Sequence, residues 1–287
     1  MQHDTRILAC IDLADEAHSV CDHAAWAAQR LGLGLELLHV IERHPQLGPD
    51  QDHSGSLGVN AQEQLLKQLS DADEDRSRRD REHARQFLNT LRERALAAGV
   101  AAVDTRQRHG DLEETVHTLG PSTQLLVMGQ RSHTPPPALG EHVEWVVRAV
   151  RQPVLVVPPQ FRAPQRVLLA HDGSAASRKR LSACAGHPLL QGLDVHLLMA
   201  RREAGGDNHE LQALAQSFEA QGHAVSTSQV VGEPAQAIED SIRAQGIDLI
   251  VMGAYSHSWW HRLLRRSNTQ NVLQRLNIAA WLWREGA

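Results

Sequence analysis

Short apolar runs alternate along this chain with longer stretches that are apolar on one face only. A short apolar run bounded by turn residues reads as a buried strand, and an apolar stripe at helical spacing reads as a helix packed on one side. In the first half the pattern predicts strands at Ile7–Ile11, Leu35–Ile41, near Val103–Arg108, Leu125–Met128 and Val154–Val157. Helices are predicted over Ala17–Leu31, roughly Arg76–Ala98 and after Gly110. The second half repeats the series, with strands at Val167–Ala170, Asp194–Met199, Ala224–Val231, Leu249–Met252 and Ala279–Trp283. Its helices start at about Ala175, near Glu210–Gln221 and after Glu233. Such alternation builds parallel sheets with right-handed crossovers and helices on both faces. The expected fold class is α/β, as two tandem doubly wound domains, each on a five-stranded parallel sheet. Ligands of such sheets bind beyond the carboxyl ends of the strands.

The two halves also share wording. Leu125–His133 reads LLVMGQRSH and Leu249–His257 reads LIVMGAYSH, identical at six positions. RILACID (Arg6–Asp12) pairs with RVLLAHD (Arg166–Asp172), and GDLEETV (Gly110–Val116) with GEPAQAI (Gly232–Ile238). The order is the same in each half, so the chain reads as a duplicated domain. Pro158, Pro159 and Pro164 mark the break, because proline cannot serve a central strand. The expected domains are 1–159 and 164–287. Val154–Val157 and Ala279–Trp283 are expected to pair within the chain, making a pseudo-dimer and covering two sheet edges.

The halves differ in length between strands two and three. From Asp12 to Gly110 is 98 positions and from Asp172 to Gly232 is 60, so the first half carries about 38 extra residues at about 42–81. HPQLGPDQDHSGSLG reads as a loop and AQEQLLKQLSDADEDRSRRDRE as a helical, densely charged segment. This insertion reads as a solvated helix face, or else as a lid or docking arm.

Composition narrows the function classes. The 287 residues carry a net charge of −5, which gives no support to a general nucleic-acid-binding surface. No apolar run approaches the roughly 20 residues that span a bilayer, and MQHDTRILAC lacks a signal-peptide pattern. Cys10, Cys21 and Cys184 have no metal-ligand spacing and read as buried thiols. A reducing cytoplasm suits them. Lys67 and Lys179 are the only lysines, and neither follows a glycine-rich turn, which excludes a lysine-bearing phosphate loop. His257 and His261 would share a helix face, but no third ligand stands near, so no metal site is expected. Trp259 and Trp260 lie in the loop after the second copy of the repeated phrase, as core residues or as contacts to a partner or the other half. The dinucleotide fingerprint, a Walker A loop and a nucleophile elbow are all lacking.

The repeated strand-end aspartates and glycines resemble the universal stress protein family in its tandem two-domain form. The resemblance covers nearly the whole chain. Many family members bind ATP through an aspartate after the first strand and a glycine motif after the fourth. That motif is Gly, two residues, Gly, nine residues, then Gly followed by Ser or Thr. Glycines let backbone N–H groups approach phosphates at the next helix start. In the second half Asp172, Gly173 and Ser174 match the first-strand signature, and Met252 and Gly253 open the glycine motif. Ser256 replaces the second glycine, nine residues follow from His257, Arg266 replaces the third glycine, and Ser267, Asn268 and Thr269 close it. Arg266 either obstructs the phosphate path or grips the phosphates with its planar fork.

The first half departs further. Asp12 is followed by Leu13 and Ala14, Gly129 is kept, Ser132 replaces the second glycine, and Gly140 comes after only seven residues, before Glu141. With Val40 these make a weaker, degenerate site that is expected not to bind ATP, since a carboxylate at the helix start repels phosphate. What the resemblance implies is a stress-response protein that binds ATP or a related adenine nucleotide, with magnesium, in its second half, and at most hydrolyses it slowly. The alternative is an adaptor acting through an unknown protein partner, with no nucleotide, nucleic acid or membrane involved. A further homodimer of the pseudo-dimer stays open.

Overall fold

The computed structural model describes residues 5–14, 16–41, 59–130, 141–201, 208–253 and 277–283. The first half runs β1 (Arg6–Cys10), α1 (Ala17–Leu31), β2 (Gly34–Ile41), α2 (Val59–Ala97), β3 (Val103–His109), α3 (Leu112–Leu119), β4 (Thr123–Gly129), α4 (Glu141–Ala149) and β5 (Val154–Val157). The second runs β6 (Arg166–His171), α5 (Ala175–Ser182), β7 (Asp194–Arg201), α6 (His209–Glu219), β8 (Val225–Val231), α7 (Pro234–Gln245), β9 (Leu249–Gly253) and β10 (Ala279–Trp283).

Among the described residues ten strands form one sheet in the order β3-β2-β1-β4-β5-β10-β9-β6-β7-β8. Each half is parallel throughout, and the halves meet where β5 and β10 pair antiparallel, Ala280 opposite Val156 and Leu282 opposite Val154. The expected pairing within one chain is therefore present. Apolar side chains alternate across the pleat, so each face has its own core. Ile7, Ala9, Val167 and Leu169 pack under α1, α2, α5 and α6, in a cluster that runs through Leu155 and the fully buried Trp281 from one half to the other. Leu8, Leu126, Leu168 and Ile250 pack on the opposite face with Val146, Ile238 and Ile242. Alanines fill the buried side of α1, at Ala17, Ala24, Ala25, Ala27 and Ala28, which lets its backbone sit close to the sheet.

Two glycines show why the repeat is kept. Gly110 and Gly232 end the turns after β3 and β8 with φ of 134° and 151°. Their N–H groups donate to Ile41 O and Arg201 O at 3.2 and 2.7 Å. A Cβ at either would meet nothing within 4 Å, so backbone conformation rather than crowding requires glycine.

The insertion differs from expectation in one respect. The charged segment and the following helix form a single 39-residue helix, α2. No glycine or proline interrupts 59–97, so nothing breaks the helix there. Its loop, residues 42–58, lies outside the described residues. Ala84, Leu88, Leu91 and Ala95 bury one side of α2, and Arg94 grips Asp22 of α1 through two bonds of 2.6 and 2.7 Å. Every residue from Arg78 to His83 is exposed. Among the described residues no helix is long and apolar enough to cross a membrane. Cys21 and Cys184 are buried and Cys10 partly so, all three free. Burial pushes the Cys21 and Cys184 thiols up to about 12.

Candidate functional site

The carboxyl ends of β6 and β9 lie side by side, because the two strands pair in parallel from Val167 and Leu249 onward. At the end of β6 the chain turns through Asp172, Gly173 and Ser174 into α5. Asp172 Oδ1 accepts from the Ser174 N–H at 2.9 Å and from its hydroxyl at 2.6 Å. Ser174 Oγ in turn accepts from the Ser177 N–H at 3.0 Å and caps α5. The aspartate thus fixes the serine, and the serine fixes the helix start. The Asp172 side chain stays 47% exposed, so it faces a space a ligand can enter.

Gly173 has φ of 82°, and its N–H donates to His171 Nδ1 at 2.7 Å. That bond needs His171 neutral at Nδ1, and burial holds its pKa below the ordinary histidine value against the pull of Asp172 and Glu210. Over the same turn lies the Arg201 guanidinium from the end of β7. A Cβ on Gly173 would sit 3.4 Å from Arg201 Nε and Nη2. The sequence gives no sign of Arg201, because strand pairing rather than sequence proximity brings it to the turn. Arg178 of α5 bonds Glu210 of α6 beside it. The cluster carries two carboxylates, of which Glu210 is bonded to Arg178, a hydroxyl, a second guanidinium, that of Arg201, and a helix N-terminus, which suits a polar ligand.

Gly253 ends β9 at the same edge of the sheet. Met252, the residue before it, is buried in the core with Leu168 and Ile250, so its side chain serves packing. Ser256, His257, Arg266, Ser267, Asn268 and Thr269 lie outside the described residues, as do Trp259, Trp260 and His261.

The matching position of the first half is built differently. Asp12 follows β1, but α1 begins at Ala17 with no side-chain cap. Glu16 instead turns toward the sheet: a Cβ on Gly129 would lie 3.2 Å from Glu16 Oε2 and 3.5 Å from Val20 Cγ2. The glycine at the strand end is therefore covered by a carboxylate. Gln130, next in the chain, is buried and donates through Nε2 to Ile278 O of the second half at 2.6 Å, which commits it to the junction. Val40 is half-buried and packs on the core of the α3 and α4 face. Ser132 and Gly140 lie outside the described residues.

This arrangement of strands and turns is matched by the universal stress protein family over residues 5–158 and again over 181–284. The chain belongs to the universal stress protein family. It is 31% identical to a universal stress protein of Synechocystis sp. over 97% of this chain and 99% of that one. Its fold is similar to a universal stress protein from Archaeoglobus fulgidus, with a TM-score of 0.69 at 18% identity over 98% of this chain and 96% of that one. A putative universal stress protein from Pseudomonas aeruginosa gives a TM-score of 0.59 at 16% identity over 98% and 94%. The relatives span both halves, so the tandem arrangement is common to them and to this chain.

Proposed function

We propose that this universal stress protein binds one adenine nucleotide, ATP or a close relative, at the carboxyl edge of its second half and none in its first. The observation that carries the reading is the contrast at one repeat position. In the second half Asp172 orders Ser174 at a helix start beneath Arg201. In the first half the corresponding glycine turn is gone and Glu16 lies against Gly129. A carboxylate there repels phosphate, whereas the Arg201 guanidinium attracts it. Asp172 would take the adenine-ribose part, and Gly253, Ser256, Ser267 and Thr269 the phosphates, with magnesium on the phosphate oxygens. The domain division at 159–164 belongs to the same reading. Titration of the full chain with magnesium and ATP tests it: Asp172→Ala is expected to lose about tenfold or more in affinity, as for a ligand group that leaves polar atoms unpaired, and Asp12→Ala to leave it unchanged. Equal losses in both variants would contradict the reading. The adaptor alternative draws on α2, whose exposed stretch from Arg78 to His83 offers a surface that the nucleotide site does not use.

A further inference from the structure

The sheet has two outer edges, β3 and β8, and they are finished in opposite ways. Strand edges expose unpaired N–H and C=O groups that invite a further strand unless charge, proline or a covering element blocks them. β3 is blocked. It carries Asp104, Arg106, Arg108 and His109. Its Val103 carbonyl accepts from Arg92 Nε of α2 at 3.0 Å, and Gln107 Nε2 donates to Arg81 O of the same helix at 3.2 Å.

Among the described residues β8 has neither the charge nor the helix bonds that block β3. Its sequence, VSTSQVV, holds no charge, no proline and no glycine. The covering helix on that side, α6, has 11 residues against the 39 of α2. Ala224 O and the Gly232 N–H both bond toward β7, so alternation turns the N–H and C=O of Val225, Thr227, Gln229 and Val231 outward. Val230 and Val231 are 36% and 55% exposed, two of the few large apolar residues so exposed among those described. A shallow groove of about 380 Å³ opens at the start of the strand, between Val225 and Ser226 on one side and Ala244 and Gln245 of α7 on the other, with Arg166 and Asp194 at its floor.

We propose that β8 pairs with β8 of a second copy of this chain, antiparallel across a two-fold axis, joining two ten-stranded sheets. Charge chooses this occupant. With the two-fold axis at Ser228, Val225 faces Val231 and Thr227 faces Gln229, so the uncharged strand is complementary to itself, apolar opposite apolar and polar opposite polar. The chain already joins two sheets in this manner where β5 meets β10. The four outward residues allow roughly eight hydrogen bonds in an antiparallel ladder. The groove beside Ser226 receives side chains of the incoming strand.

The test is the mass of the full chain in solution by light scattering after size exclusion, over a range of concentrations. The wild type is expected at twice the 31.7 kDa of one chain. The double variant Thr227→Lys/Gln229→Lys sets lysine opposite lysine across the axis and is expected to weaken the dimer by about tenfold or more. Thr105→Lys on the blocked edge should leave the dimer intact, and circular dichroism reports the folding of both variants. A wild type that stays monomeric at its highest soluble concentration overturns the proposal. So does a folded Thr227→Lys/Gln229→Lys double variant that dimerises like the wild type.

Discussion

Where the first half sets Glu36 between Arg6 and Arg106, the second half sets His196 between two serines. The positions correspond: Glu36 lies opposite Leu8 and Asp104 in the sheet, and His196 lies opposite Leu168 and Ser226. Glu36 is buried, bonds Arg106, and takes Arg6 Nη1 at 3.4 Å, which also reaches Asp104 at 3.6 Å. His196 meets Ser226 Oγ at 2.8 Å through Nδ1 and Ser228 Oγ at 2.9 Å through Nε2. Both solutions satisfy a buried polar side chain on the second strand of the half. The first does so with charge, which also guards the neighbouring edge. The second does so with neutral groups, which leaves its edge free to pair. The same division recurs at the carboxyl ends, where Glu16 covers Gly129 and Asp172 orders Ser174. Duplication kept the core and the turns, and the polar residues at edges and loops took separate roles.

The largest effect should come where the comparison is broken by separating the halves. Trp281 is fully buried beside the His187 ring, 4.6 Å between centroids, on the strand that pairs with β5. Trp281→Ala is expected to cost about 3–5 kcal/mol, read as a fall in the urea midpoint of both halves together. Loss in the second half alone would show that the β5–β10 junction does not couple them.

Acid should act more strongly on the second half. Burial depresses His171, His187 and His196 in the second half, His187 to about 4, but only His23 in the first, also to about 4, among the described residues. These histidines are neutral when folded and titrate near 6.5 when unfolded. The unfolded chain therefore binds the extra protons, and stability present above pH 6.5 is lost as pH falls toward 4. His23 alone accounts for about 3 kcal/mol at most. Hydrogen exchange at pH 7 and at pH 4.5 is expected to show the second half opening further than the first.

A smaller effect tests whether the repeat is conserved for its backbone. Gly110→Ala and Gly232→Ala each force a side chain onto a positive φ and are expected to cost about 1–2 kcal/mol, to the same extent in the two halves. Chemical denaturation of the two variants reads this directly, and a marked inequality would mean that one of the two turns relaxes.

Much of this plan is legible in the chain itself. The LLVMG and LIVMG phrases mark β4 and β9 because a buried parallel strand must be apolar on both faces, and Asp172-Gly173-Ser174 marks its turn because each residue bonds only its sequence neighbours. The tandem pairing follows from the short apolar runs at Val154 and Ala279. What sequence hides is whatever arrives from a distance. Arg201 comes to Gly173 through the pairing of β6 with β7, Glu16 comes to Gly129 across α1 and β4, and Arg92 caps β3 from the helix that precedes it. The unity of α2 is hidden for another reason: its charged stretch lacks an apolar stripe, and its continuity rests on the absence of any breaker between Val59 and Ala97.

On the proposed function, one half holds the nucleotide and the other has lost it. The most direct measurement is to denature freshly purified protein, identify any released nucleotide by mass and count it against chain. One adenine nucleotide per chain, absent from Asp172→Ala and kept in Asp12→Ala, is the result this account predicts. Two per chain, or none together with no thermal shift on adding magnesium and ATP, would contradict it.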